Sequence, residues 1–188
     1  MDLTNIDFVF LDRDGVLNQK ARPGEYITSC EELVVLPGVP EAVAALNRSG
    51  RRVIVVTNQR GVALGLYTLE DLAQIHDKLT KELAERGAHL DAIYFCPHDK
   101  GQCACRKPGT GMFEQAFRDF PEAKPERSLM VGDSLRDIEA GQAVGMSTAF
   151  VTDGDSASED DLRATRLATV VVRSLSELVE GLADEAHS

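Results

Sequence analysis

The sequence lacks any long apolar run, and it contains fewer basic than acidic residues. Its longest apolar stretches, such as 52–56, have the length of a strand, far below the ~18 residues that a membrane-spanning helix needs. Residues 1–7 contain neither a basic nor an apolar segment of the signal-peptide kind. Lys and Arg total 20 against 31 Asp and Glu, and the formal charge of −11 disfavours binding to nucleic acid or anionic lipid. We therefore expect a cytoplasmic protein that binds neither nucleic acid nor membranes.

Cysteine is also scarce, with four residues in the chain. Cys96, Cys103 and Cys105 lie within ten residues of one another, whereas Cys30 stands alone. This distribution excludes a disulfide framework, and clustered thiols in a reducing compartment indicate a bound metal. We expect Cys30 to be a buried or partly buried free thiol.

The length and the apolar content predict a folded protein. A chain of 188 residues with 43% apolar residues fits one domain spanning residues 1–188. A domain of this size buries about 70% of the surface that its unfolded chain exposes. Extended disorder is thereby excluded for most of the chain.

Short β-rich runs alternate with amphipathic helical stretches. We predict strands at 6–11, 53–56, 92–95, 128–131, 148–151 and 169–172. We predict helices at 40–48, at 69–83 with Thr68 as its N-cap, at 112–120, at 135–144 and after Ser174. Residues 153–161 are predicted to form an exposed acidic loop. The alternation predicts an α/β fold, a Rossmann-like parallel sheet with helices on both faces, in three layers.

Polar clusters follow three of the predicted strands, at 12–14, 57–59 and 132–134. Ligands of such sheets bind beyond the carboxyl ends of the strands, so we expect these clusters to meet at one edge. A lone Asp-x-Asp is commonly a turn. Asp12 and Asp14 with Asp133 would instead concentrate negative charge, which Mg²⁺ neutralises well with oxygen ligands.

A carboxylate beside a cation also has the chemistry of a nucleophile toward phosphorus. Attack by an aspartate forms an aspartyl-phosphate if the repulsion between the anions is neutralised. Thr57 offers a hydroxyl and Lys107 an ammonium for the phosphoryl oxygens.

Four segments together resemble the motifs of the haloacid dehalogenase (HAD) superfamily of phosphotransferases. They are, in order, Asp12-Arg-Asp-Gly-Val16, Val56-Thr-Asn58, Lys107 and Gly132-Asp-Ser-x-x-Asp137. The resemblance spans residues 6–151. The resemblance implies a HAD-like hydrolase. The intervals after the first and second motifs are too short for a large cap domain, so we expect a minimal cap.

The resemblance implies a role for each motif residue. Asp12 would attack phosphorus, and Asp14 would protonate the leaving alcohol and later activate water. Thr57 and Lys107 would hold the phosphoryl group. Mg²⁺ would be bound by Asp12, by Asp133 and by the backbone carbonyl of Asp14. Asp137 would orient Asp133 or Lys107.

The cysteine-rich loop at 96–105 adds a second metal set. Its ligands are three thiolates and one imidazole, namely Cys96, His98, Cys103 and Cys105. These four groups make a closed tetrahedral site of the structural Zn²⁺ kind. The alternative is a group of buried free cysteines beside an exposed histidine. A bound zinc would order the loop that leads into Lys107.

The segment Cys96–Pro108 resembles a zinc-containing branch of the superfamily that holds histidinol-phosphate phosphatases and heptose-bisphosphate 7-phosphatases. Gly111-Met112, Gly61 and Gly65 resemble the heptose enzymes more closely. That resemblance implies removal of the 7-phosphate from a small-molecule sugar bisphosphate, in the synthesis of nucleotide-activated heptose for lipopolysaccharide core or another surface polysaccharide. The expected substrate-binding residues are Arg13, Asn58, Gln59, Arg60 and Arg106.

Two other hypotheses stay open. The short gap between His98 and Cys103 also fits a histidinol-phosphate phosphatase of histidine biosynthesis. A non-catalytic binding module on the same scaffold is the remote alternative, although the nucleophile and the metal ligands are present. We expect a monomer whose segment 19–26 lines the site entrance, with His76 as a packing or surface residue.

Overall fold

The computed structural model describes residues 3, 5–154 and 158–185. Its strands are β1 (Phe8–Leu11), β2 (Arg52–Asn58), β3 (Ala92–Cys96), β4 (Ser128–Gly132), β5 (Ser147–Val151) and β6 (Val170–Val172). Its α-helices are α1 (Val39–Arg48), α2 (Leu69–Ala84), α3 (Gly111–Asp119), α4 (Leu135–Ala143), α5 (Glu159–Leu167) and α6 (Leu175–Glu185). Within this described part, no helix combines the length and the apolar character needed to cross a membrane.

The strands form one parallel sheet in the order β3-β2-β1-β4-β5-β6. Strand β1 lies in the interior, with Val9 paired to Val53 of β2 and to Leu129 of β4. The strand order reverses direction beside β1, and this reversal opens a crevice at the carboxyl ends of neighbouring strands. The predicted parallel α/β sheet is confirmed.

Helices cover both faces because side chains along each buried strand point alternately to opposite sides. Val9 and Leu11 pack in a core with α1, α2 and α6. Phe8 and Phe10 pack on the other side with α3 and α4. Phe10 contacts the ring of Phe113 at a centroid distance of 5.7 Å. The sheet is therefore the middle of three layers, as the sequence predicts.

The start of α2 shows how local sequence sets a helix boundary. The Thr68 hydroxyl accepts a hydrogen bond from the backbone N–H of Asp71, while the Asp71 carboxylate accepts from the backbone N–H of Thr68. This reciprocal pair satisfies donors that the first turn of a helix leaves free. The prediction of Thr68 as N-cap is confirmed.

The prediction of an acidic loop at 153–161 is wrong over its last part. Residues 159–161 form the first turn of α5, and Ser158 and Asp161 form its capping box. Acidic side chains in a first turn interact favourably with the positive end of the helix dipole, so their charge favours the helix. Residues 155–157 lie outside the described part of the chain.

The segments that follow β1 and β2 contain no inserted domain. Residues 12–38 include one short 3₁₀ turn, Cys30–Glu32, and residues 59–68 lead directly into α2. The prediction of a minimal cap is confirmed. That residues 1–188 form one domain stays a prediction.

Candidate active site

The three polar clusters meet at the carboxyl edge of the sheet. Asp12 follows β1, Thr57 lies near the end of β2, and Asp133 follows β4. Strands β2 and β4 both pair with β1, and the backbone N–H of Asp12 donates to the Val131 carbonyl at 2.9 Å. A cavity of about 730 Å³ opens at this edge and is lined by Asp12, Asp14 and Asp133, among others. The predicted convergence is confirmed.

Lys107 lies between two carboxylates. Its Nζ is 3.0 Å from Asp12 Oδ1 and 2.7 Å from Asp137 Oδ1, and it donates to the Val56 carbonyl at 2.6 Å. Burial alone would lower the pKa of Lys107, but the two carboxylates raise it, so the ammonium stays charged. Burial raises the pKa of Asp12 to about 7, against the opposing effect of the Lys107 charge.

The acidic side chains at this edge fit a small hard cation. Asp12, Asp133 and Asp137 each place one carboxylate oxygen within 4.8 Å of the others. Asp137 is 1% exposed, and its carboxylate already has partners within the protein. It contacts Lys107, and it accepts hydrogen bonds from the Ser134 N–H and hydroxyl at the N-terminus of α4. Asp12 and Asp133 are thus the carboxylates of this cluster available to a divalent cation, with Asp137 behind them.

Gly15 permits the close approach of Asp133 to the turn after β1. A Cβ at position 15 would lie 2.1 Å from Asp133 Oδ2, and φ there is +89°. Both observations require glycine. The same Oδ2 contacts Lys20 Nζ at 2.7 Å.

Asp14 is held by three neighbouring side chains. The Arg13 guanidinium contacts its carboxylate at 2.9 Å, Asn18 donates to Oδ1 at 2.9 Å, and Gln59 donates to Oδ2 at 3.0 Å. Burial alone would raise the pKa of Asp14, but Arg13 and the hydrogen bonds hold it below its ordinary value. These contacts fix the carboxylate two residues after Asp12.

The structure buries the Arg13 side chain, and its predicted contact with substrate stays a prediction. Its side chain is 1% exposed, and the guanidinium is taken up by Asp14 and by His76 Nε2, which accepts from Nη1 at 3.2 Å. A buried guanidinium is stable only when its donors are satisfied, and this pairing turns it inward. Arg13 therefore supports Asp14 from behind.

The four other predicted substrate residues all line the cavity, but the Asn58 and Gln59 side chains are engaged within the protein. Asn58 bonds the Lys107 main chain with both ends of its amide, at 3.1 and 3.0 Å, and Gln59 is 3% exposed. Arg60 lines the cavity and pairs with Asp99 of the cysteine-rich loop at 2.5 Å. Arg106 also lines it, and its buried Nη1 has no hydrogen-bond partner among the described residues. Of these four, Arg106 is the one with a buried side-chain donor that lacks a partner among the described residues.

Asn18 and Tyr67 are parts of the site that the motifs in the sequence do not indicate. Asn18 is fully buried, and its amide joins Asp14 to the Gln19 carbonyl. The Tyr67 hydroxyl donates to Gln59 Oε1 at 2.6 Å. Neither residue lies in a strand-end cluster. The sequence did offer one indication for Asn18, namely its proximity to Asp14, which it follows by four residues.

His76, predicted to be a packing or surface residue, packs in the interior. Its ring lies between Arg13 and the Phe95 ring, with a centroid distance of 5.9 Å to the latter. Burial, with a further contribution from the Arg13 charge, lowers the pKa of His76 from 6.5 to about 4. The imidazole is therefore neutral at pH 7.

This shift predicts a pH dependence of stability. Between pH 6.5 and 4 the unfolded chain binds a proton at His76 that the folded chain does not, so the free energy of unfolding falls as the pH is lowered. From pH 7 to pH 5 the loss assignable to His76 is about 2 kcal/mol. A His76→Gln variant should lose about that much less than the wild type, measured by urea unfolding at both pH values. Equal losses in the two proteins would contradict the assignment.

The cysteine-rich loop brings its four predicted zinc ligands together. Cys96, His98, Cys103 and Cys105 each place one ligand atom within 4.8 Å of the others. The Sγ atoms of Cys96 and Cys103 are 3.5 Å apart, and His98 Nδ1 is 3.3 Å from Cys105 Sγ. Tetrahedral Zn²⁺ with bonds of about 2.3 Å to sulfur places its ligand atoms at about this spacing. The donor set and the geometry fit structural zinc.

A parallel α/β sheet with Asp12, Lys107 and an acidic cluster at its carboxyl edge defines a HAD-like hydrolase, and a family model described as HAD-hydrolase-like matches residues 104–178. The D-glycero-beta-D-manno-heptose-1,7-bisphosphate 7-phosphatase of Bordetella bronchiseptica is 37% identical over 180 residues, covering 95% of this chain and 98% of that protein. The chain belongs to the heptose-1,7-bisphosphate 7-phosphatase family.

Two further comparisons agree with this assignment. The D-glycero-alpha-D-manno-heptose-1,7-bisphosphate 7-phosphatase of Mycobacterium bovis is 39% identical over 137 residues, covering 72% of each chain. The crystal structure of the B. bronchiseptica D,D-heptose 1,7-bisphosphate phosphatase, complexed with magnesium and phosphate, superposes with a TM-score of 0.85. It is 34% identical and covers 96% of this chain and 100% of its own.

Proposed function

We propose that the protein is a Mg²⁺-dependent phosphatase that removes the 7-phosphate from D-glycero-D-manno-heptose 1,7-bisphosphate and leaves heptose 1-phosphate. The observation that carries the proposal is the placement of Asp12 at the cavity, 3.0 Å from the Lys107 ammonium, with Asp14 two residues on. The relatives named above act on this substrate class. The product would serve the synthesis of nucleotide-activated heptose for a surface polysaccharide.

The reaction divides into two displacements at phosphorus. In the first, an Asp12 carboxylate oxygen attacks phosphorus, the bond from phosphorus to the C7 oxygen breaks, and Asp14, ionised before substrate binds, takes up a proton from solvent and delivers it to that oxygen. In the second, Asp14 takes a proton from water, the water oxygen attacks phosphorus, and the bond to Asp12 breaks. Inorganic phosphate leaves, Asp14 releases the proton to solvent, and Asp12 and Asp14 are both carboxylates again.

The residues around Asp12 have defined roles in these steps. Lys107 holds the phosphoryl oxygens by charge, and Thr57 contributes its hydroxyl. Asp12, Asp133 and the Asp14 carbonyl would hold Mg²⁺, which neutralises charge on the phosphoryl group when it is bound. Asp137 keeps Lys107 in place through their 2.7 Å contact.

Arg106 supports a substrate with a second phosphate. A buried guanidinium nitrogen without a hydrogen-bond partner is costly, and an anionic oxygen of a ligand would satisfy it. Arg106 lines the same cavity as Asp12 and directly precedes Lys107. A heptose bisphosphate can place one phosphate at Asp12 and the other near Arg106.

That the enzyme works as a monomer in the cytoplasm stays a prediction.

A substrate panel tests the proposal. Purified protein with Mg²⁺ is given the α and β anomers of heptose 1,7-bisphosphate and histidinol phosphate, and phosphate release is measured. We expect at least one anomer to give a kcat/KM about 100-fold above that of histidinol phosphate, because only a bisphosphate engages Arg106. The relatives carry names of both anomers, so the panel also assigns the anomer. A higher kcat/KM on histidinol phosphate would overturn the proposed substrate.

A further inference from the structure

The side-chain amide of Gln59 joins two groups that the proposed reaction uses. Gln59 Nε2 donates to Asp14 Oδ2 at 3.0 Å and to Thr57 Oγ1 at 2.9 Å. An amide nitrogen carries two protons, so both are used within the protein. Gln59 is only 3% exposed. These contacts make it a link between Asp14 and Thr57 and leave it no free N–H for a substrate.

Tyr67 determines which way this amide faces. Its hydroxyl donates to Gln59 Oε1 at 2.6 Å. Burial raises the pKa of Tyr67 to about 12, so the hydroxyl stays a donor at neutral pH. If the amide were turned over, its oxygen would face the Asp14 carboxylate and its nitrogen the Tyr67 hydroxyl. The bond from Tyr67 therefore favours the orientation that presents N–H to Asp14 and Thr57.

The Tyr67 ring is itself fixed in place. A Cβ at position 61 would lie 2.1 Å from Tyr67 Cε1, so the ring occupies the space that the missing side chain of Gly61 leaves. The residue is 5% exposed. A rigid ring places the hydroxyl within a narrow range, which is what a fixed hydrogen bond to the amide requires.

We propose that Gln59 is a positioning residue that aligns Asp14 for proton transfer and Thr57 for stabilising the charge that develops on the phosphoryl oxygens in the transition state, and that Tyr67 acts through it. The proposal rests on the proposed phosphatase function. It replaces the sequence-based expectation that Gln59 contacts the substrate. Proton transfer depends steeply on the position of the acid, so loss of the link lowers the rate of the chemical steps while leaving substrate binding intact.

A double-mutant cycle with Gln59→Leu and Tyr67→Phe tests this coupling. Gln59→Leu should lower kcat by about 10- to 100-fold, with KM and the inhibition constant of inorganic phosphate within about twofold of wild type. Tyr67→Phe keeps the ring beside Gly61 and should lower kcat by about 3- to 10-fold. In the Gln59→Leu background, Tyr67→Phe should have no further effect on kcat, because its partner is gone.

Other outcomes would overturn the proposal. An unchanged kcat in Gln59→Leu would exclude positioning, and a raised KM and inhibition constant with unchanged kcat would show a direct substrate contact. Independent, multiplicative effects of the two changes would show that Tyr67 does not act through Gln59. Thermal unfolding is recorded for each variant, and if Gln59→Leu does not fold, unchanged kcat in Tyr67→Phe overturns the proposal by itself.

The test also separates this proposal from the function on which it rests. Wild-type turnover of heptose bisphosphate is measured first, and its absence would count against the proposed substrate. The same variants are then compared on β-glycerophosphate, an alkyl phosphate whose leaving alcohol also needs a proton, where the cycle carries the same expectation. Wild-type turnover together with an unaffected Gln59→Leu would overturn only the positioning role.

Discussion

Asp12→Asn is expected to lower kcat for phosphate release by about 10⁴-fold or more, because it removes the attacking oxyanion while preserving the size of the side chain. An amide is a poor nucleophile toward phosphorus and forms no stable acyl-phosphate. Acid-quenched wild-type enzyme should show phosphorylated protein by intact-mass spectrometry during turnover, and the variant should show none. Both assays address the same bond between Asp12 and phosphorus.

A matched control lies at the other end of the same strand. Asp7 precedes β1 and pairs with Arg127 near the surface, far along the strand from the carboxyl edge. Asp7→Asn makes the same chemical change and should leave kcat within about twofold of wild type. An Asp12→Asn enzyme that retained more than about a tenth of the wild-type rate would contradict the covalent mechanism.

The location of the site was predictable from the sequence because it depends on a general property of parallel sheets. Asp12, Thr57 and Asp133 each follow a run of buried apolar residues, and parallel strands end at the same edge. The sequence does not specify which strands are neighbours. The structure supplies this, since β1 pairs with both β2 and β4 and so brings the three residues together.

The inward-facing residues were not predictable in the same way. Arg13 lies beside Asp12 after β1, and Gln59 lies close to Thr57 just after β2, so sequence position alone assigns them to the same cavity. Their direction depends on partners far along the chain, Arg13 bonding His76 and Gln59 bonding Asp14. The contact with His76 forms only once α2 packs on the sheet, and the contact with Asp14 forms only once β1 and β2 are neighbours. Residues 159–161 show that local composition can also be ambiguous, because acidic residues fit both an exposed loop and the first turn of a helix.

The zinc ligands are expected to carry the largest effect on stability. Residues 97–110 contain no strand or helix, yet they position Arg106 and Lys107 at the cavity. Cys96, Cys103 and Cys105 also contact the apolar core that contains Phe113. A tetrahedral metal would supply the cross-links that hydrogen bonds of regular structure supply elsewhere, so its binding energy is folding energy for this loop.

The double variant Cys103→Ser/Cys105→Ser should therefore lose its zinc, fall in stability by about 3 kcal/mol or more, and lose most of its activity. Metal analysis should find about one zinc per wild-type chain and none in the variant. Cys30→Ser is the matched control, because Cys30 lies outside the cluster, and it should retain both zinc and activity. Zinc retained by the double variant, or zinc-free wild-type protein with an unchanged melting temperature, would refute the structural role. If stability falls while kcat is unchanged, the metal supports the loop without positioning Lys107, since a displaced ammonium would slow phosphoryl transfer.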